Sequence, residues 1–76
     1  MNNTRRKAIE EIRDRLAEIS DEIDEILGEE EEYRDNIPEN LQGGERYERA
    51  EEAVSNLSSA TDSLYEVLDY LESAVE

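Results

Sequence analysis

Between Ile9 and Ile37 the apolar residues advance by three and four positions, with one polar residue, Glu30, among the nine positions of the count. Ile9, Ile12, Leu16, Ile19, Ile23 and Ile26 are followed on the same count by Glu30, Tyr33 and Ile37. This period places them on one stripe of an α-helix and does not fit the period of two that a half-buried strand requires. It also argues against disorder, which a highly charged chain would otherwise suggest. A helix with so narrow a seam is not stable alone in water, so the rest of the chain must cover the seam or leave it to a partner.

A second helical run supplies the cover. Tyr47, Ala50, Val54, Leu57, Thr61, Leu64, Leu68, Leu71 and Val75 repeat the three-four spacing, and Ala53, Ala60, Val67 and Ala74 form a flank beside it at intervals of seven. The Asp-Asn-Ile-Pro-Glu-Asn-Leu-Gln-Gly-Gly stretch between the runs cannot continue a helix. Pro38 drives Ile37 out of helical geometry, and Gly43 and Gly44 allow left-handed or other permissive backbone. The chain therefore reads as one all-α domain over residues 1–76, an antiparallel two-helix hairpin of coiled-coil type. Helix 1 is expected at about 4–34, capped by Asn3 or Thr4, with a loop at 35–44 and helix 2 at about 45–75. Helix 1 should pass through Gly28 at a cost of about 1 kcal/mol relative to alanine, and the Glu29–Glu32 tetrad should be its least stable part. Ile37 and Leu41 should plug the loop end against Tyr33 and Tyr47. Ile12, Leu16, Ile19 and Ile23 should be buried against Leu57, Thr61, Leu64, Leu68 and Leu71, so that Ile19→Ala costs about 2 to 5 kcal/mol. One neighbour cannot cover both the seam and the flank of helix 2, which leads to an expected homodimer in the form of a four-helix bundle.

Charge narrows the function classes. The chain carries 23 acidic and 8 basic residues, a net charge of -15, with no cysteine and no histidine. Disulfides, thiolate metal sites, cysteine nucleophiles and imidazole acid-base chemistry are excluded. A two-helix scaffold also offers its carboxylates no pocket in which to be desolvated, so no catalytic, cofactor or metal site is expected. The run from Asp21 to Gly28 lacks the oxygen-ligand alternation and the glycine and glutamate positions of a calcium loop. The longest apolar run is two residues and the N-terminus has no hydrophobic core of a signal peptide, so no membrane contact is expected and the chain reads as a soluble intracellular protein.

Five of the eight basic residues lie between Arg5 and Arg15, where Arg5, Arg6 and Lys7 have the wrong sign for a helix N-terminus, and nine acids with no base lie between Leu16 and Glu32. Antiparallel pairing would set Arg5, Arg6 and Lys7 beside Asp69, Glu72 and Glu76. The acidic faces have two readings: a solvated surface, or a row of carboxylates that imitates nucleic-acid phosphates. On the second reading the partner is a basic nucleic-acid-binding protein, with no direct binding of nucleic acid, and the contact centres on Asp21, Asp24, Glu25, Glu29, Glu31, Glu32, Glu48 and Glu52. Arg34, Arg46 and Arg49 would fix register. The hydroxyl cluster Ser55, Ser58, Ser59, Thr61 and Ser63, with Tyr65 and Tyr70 nearby, is a second contact candidate or an ordinary small-residue surface.

The segment Asn36-Ile-Pro-Glu-Asn-Leu-Gln-Gly, followed by Glu45-Arg-Tyr-Glu and a helix of leucine, alanine and acidic residues, resembles small acidic helical proteins of phages and mobile elements of Gram-positive bacteria. The resemblance covers roughly 35–75 and is compositional over helix 2. It implies an inhibitor of host nucleases, of the anti-CRISPR or DNA-mimic type, and assigns no functional residue. The alternative is a structural or regulatory helical module that acts by self-association or helix pairing.

Overall fold

The computed structural model describes all 76 residues and shows an all-α hairpin. Helix α1 runs Asn3–Asp35, a 3-10 turn spans Glu39–Leu41, and helix α2 runs Glu45–Ala74. The Cα atoms fill a rod of 59 × 15 × 13 Å.

Local chemistry sets the ends of the helices. Asn2, in extended backbone, accepts the Arg5 N–H on its side-chain oxygen at 2.8 Å, so the cap is Asn2 and not Asn3 or Thr4. The helix passes through Gly28 as expected. At the other end the Asn36 and Ile37 N–H groups close onto Glu32 and Arg34 carbonyls at 3.0 and 3.2 Å. Pro38 has no N–H to extend the ladder, and its carbonyl instead accepts Leu41 N–H at 2.8 Å to start the turn. Ile37 is buried and plugs the loop end, with the Gln42 amide donating to its carbonyl at 3.3 Å. Leu41, expected to share that task, is 50% exposed, because the 3-10 turn carries it to the outside. Neither Gly43 nor Gly44 is left-handed. What glycine provides at position 44 is space, since a Cβ there would sit 3.3 Å from the Leu41 carbonyl oxygen.

Packing follows the expected seam on α2, where all nine positions from Tyr47 to Val75 are buried or half-buried. On α1 it does not. Apart from Asp24, the less exposed positions are Arg6, Ile9, Arg13, Leu16, Ser20, Ile23, Leu27, Glu30, Arg34 and Ile37, again at three-four spacing but turned by one row. Ile12, Ile19, Ile26 and Tyr33 are 41%, 45%, 52% and 43% exposed. The expected burial of Ile12 and Ile19 is therefore wrong for the hairpin, and Ile19→Ala cannot cost what a buried isoleucine costs. The row that took their place is amphipathic: Arg6, Arg13 and Arg34 are half-buried in it beside Ile9, Leu16 and Ile23, and the Arg6 Nε is buried without a hydrogen-bond partner.

The expected ion pairs between the two ends of the chain are also absent. The three salt bridges, Arg13–Asp14, Arg34–Asp35 and Arg49–Glu45, each lie within one helix. Exposed pairs between long side chains contribute at most about 1 kcal/mol, and that gain must offset the entropy lost in holding the two side chains together.

Only Ile37 and Ala50 are fully buried apolar residues, and the two other buried residues are Ser20 and Thr61, near the midpoints of their helices. Their hydroxyl oxygens have no hydrogen-bond partner, a desolvation cost of about 1 to 3 kcal/mol each. The double variant Ser20→Ala with Thr61→Val should therefore melt several degrees higher than the parent. An unchanged or lower melting temperature would show that these hydroxyls are satisfied in solution. At Gly28 an added Cβ meets nothing within 4 Å, so Gly28→Ala should stabilise the protein by about 1 kcal/mol, read as a shift of the denaturation midpoint at constant slope.

Candidate functional site

The rotation of α1 gives the hairpin two unlike faces. Arg46 donates from Nε to the Tyr33 hydroxyl at 2.8 Å, with its guanidinium carbon 5.2 Å from the ring centroid. This contact ties the α1 row Arg5, Ile12, Ile19, Ile26 and Tyr33 to the α2 row Arg46, Ala53, Ala60, Val67 and Ala74 on one side of the rod. The next α2 row on that side is Arg49, Asn56, Ser63 and Tyr70. None of these fourteen positions is acidic, in a chain where 23 of 76 residues are. Beyond Ile19 on the α1 edge lies the row Ala8, Arg15, Glu22 and Glu29, basic toward the termini and acidic toward the loop. At the loop end this face opens into a cleft of about 420 Å³ lined by Glu30, Tyr33, Glu45, Arg46, Arg49 and Ala50.

The opposite side is polar. Tyr65 donates its hydroxyl to Asp24 Oδ2 at 2.7 Å, which ties the row Glu10, Ala17, Asp24 and Glu31 to the row Glu51, Ser58, Tyr65 and Glu72. The hydrogen bond to Asp24, that carboxylate's charge, partial burial and Asp21 raise the Tyr65 phenol above its ordinary value, with Ser20 acting weakly in the other direction. Partial burial and the neighbouring Glu51 raise Tyr47 in the same sense.

The sequence-predicted contact residues all lie in the loop-end half, and all but Asp24 are exposed. The structure brings them to one end but not to one face. By helical position Asp21, Glu25 and Glu32 are on the back of α1, Asp24 and Glu31 are on the Tyr65 side, Glu29 is at the rim of the apolar face, and Glu48 and Glu52 are on the back of α2. They form a belt around the rod instead of a single row of carboxylates. Between Asp21 and Asn56 there are fourteen carboxylates and three arginines, against nine carboxylates and five bases in the remainder. Of the hydroxyl cluster, Thr61 is buried and Ser58 half-buried, while Ser55, Ser59 and Ser63 face water. The reading from sequence missed the Ile12, Ile19, Ile26, Tyr33 row as a surface, although its interval of seven was visible. No group of histidine, cysteine, aspartate or glutamate is placed to hold a metal ion, and no helix is long and apolar enough to cross a membrane.

Comparison with protein-family models, curated proteins and solved structures finds no match to this chain. The two faces are the basis for a functional reading.

The tyrosine on the polar side provides a direct check of the geometry. Because the Tyr65 phenol is raised in the folded state, the stabilisation it draws from Asp24 is fully present below the ordinary value of 10.0 and is lost as pH rises through the raised one. An ultraviolet phenolate titration should show a late-ionising tyrosine that Tyr65→Phe deletes and Asp24→Ala returns toward 10.0. Superimposable curves for parent and Asp24→Ala would remove the contact.

Proposed function

We propose that this protein is a non-enzymatic helical module that acts by pairing its apolar face with other helices, self-association into a four-helix bundle included. The observation that supports this reading is the segregation of the surface. A chain so rich in carboxylates keeps them off fourteen neighbouring positions that include three half-exposed isoleucines and Tyr33. Fully burying such a side chain contributes about 1.5 to 3 kcal/mol, and roughly half of that is still unrealised at each of these positions in the isolated hairpin. A two-helix unit without disulfide or metal has little other reserve of stability.

A second reading concerns the belt. The excess of negative charge at the loop end favours steering toward a basic protein surface, as expected of an inhibitor that occupies the nucleic-acid site of a host defence nuclease such as a CRISPR effector. Its setting would be the bacterial cytoplasm. Two reading-specific variants keep the proposals apart.

Sedimentation across a concentration series should show association that survives about 1 M salt, where the screening length is only about 3 Å, and that Ile19→Asp abolishes while circular dichroism stays helical. A monomer mass at every concentration, together with no salt-tolerant binding to any helical partner, would remove the pairing reading. For the belt, Asp24→Lys, Glu25→Lys, Glu31→Lys and Glu32→Lys combined should abolish a salt-sensitive, DNA-competitive contact with a basic target. Full inhibition by that variant would remove the inhibitor reading.

A further inference from the structure

We propose that the apolar face is covered by a second copy of this chain, packed antiparallel so that the two loops lie at opposite ends of the bundle. This rests on the pairing reading above and adds to it the partner and the orientation. Three observations on the same face converge on that arrangement.

The first is area. With 30 helical residues in α2 and a rod 15 Å wide, the face is about 45 Å long at about 1.5 Å per residue and presents roughly 700 Å² per copy, close to the roughly 800 Å² per partner of a standard protein interface. A short peptide or a single docked helix would leave much of it wet.

The second is charge. Loops at the same end would set the two most acidic halves on each other, fourteen carboxylates and three arginines per copy. Loops at opposite ends set each acidic half over the less acidic half, where nine carboxylates are offset by Arg5, Arg6, Lys7, Arg13 and Arg15, so the repulsion between copies is smaller. In that orientation α1 lies along the partner's α1 in reverse, so the rim row meets itself head to tail. Arg15 falls beside the partner's Glu29. Ile19 packs against the partner's Ile26, and the small residues Ala53 and Ala60 let the two α2 helices approach. Glu22 meets the partner's Glu22 near the two-fold axis, a like-charge contact on the wet rim that salt screens.

The third is the cleft. Tyr70 stands 70% exposed near the C-terminal end of α2, on the rim row of this face, and nothing in its own hairpin covers it. The antiparallel arrangement carries the partner's Tyr70 over the loop-end cleft, where its ring can stack on the guanidinium planes of Arg46 and Arg49, which Tyr33 and Glu45 already hold in place. Both ends of the interface are closed in this way by the same two-fold operation.

The chain has no cysteine, so one introduced thiol labels one position. A spin label on Asn40→Cys in the full-length protein should give a tip-to-tip distance on the order of 50 Å at 1.5 Å of helix rise per residue, with sedimentation at twice the monomer mass. A distance under about 25 Å, as adjacent helices would give, with the dimer mass retained, would overturn the orientation and leave the pairing reading standing. A monomer mass would overturn the second copy. Charge exchange supplies an independent readout. Arg15→Glu alone should weaken dimerisation roughly three- to thirtyfold through two symmetric exposed pairs, and Arg15→Glu with Glu29→Arg should restore it. Within one chain these residues are four helical turns apart, so rescue requires the antiparallel partner, and failure of rescue overturns the register.

Discussion

Two helices in contact share a single line, and every apolar row away from that line stays in water. Each helix here carries apolar residues on two adjacent rows, so a hairpin can satisfy only one row of each in full. α2 turns its leucine-rich seam inward and leaves Ala53, Ala60, Val67 and Ala74 at the edge. α1 turns the Ile9, Leu16, Ile23 row inward and leaves Ile12, Ile19, Ile26 and Tyr33 at the same edge. The coincidence of the two leftover rows on one side, fixed by the Arg46–Tyr33 contact, turns two incomplete burials into one continuous surface.

Charge reinforces that division. Carboxylates are tolerated wherever water reaches them and are costly wherever a second apolar surface must close. Fourteen neighbouring positions on one face hold none of them, and they concentrate on the backs of both helices and around the loop end. The same distribution makes the rod electrically uneven along its length, since the bases near the start of α1 find no ion-pair partner on α2 and remain available to a neighbour.

The interior of the hairpin is thin. Two apolar side chains, Ile37 and Ala50, are fully buried toward the loop end, and two hydroxyls are buried near the middle of the rod without partners. Such a core holds the helices in register more than it supplies stability, and the polar Tyr65–Asp24 contact adds a second tie on the side away from the apolar face. Small hydroxyl-bearing residues at Ser20 and Thr61 permit close approach of the helices at the cost of two unsatisfied groups, a compromise that a larger hydrophobic core would not need.

Periodicity alone determined the helices, their antiparallel return and the inner face of α2, because spacing in sequence translates directly into angle around a helix. Pro38 marked the break for an equally local reason, the missing N–H. The choice between adjacent rows on α1 belonged to the tertiary structure. Ile9, Leu16 and Ile23 lie on both of the possible contact lines, so the pattern of apolar residues is satisfied by either, and the choice shows only in the burial of the Arg6, Arg13, Ser20, Leu27 and Arg34 row and in the seating of Ile37 by the loop. The placement of the acidic residues was decided in the same way. Their positions along the chain located them at the loop end, but only the rotation of each helix about its own axis showed that they form a belt and that fourteen neighbouring positions beside it hold no carboxylate.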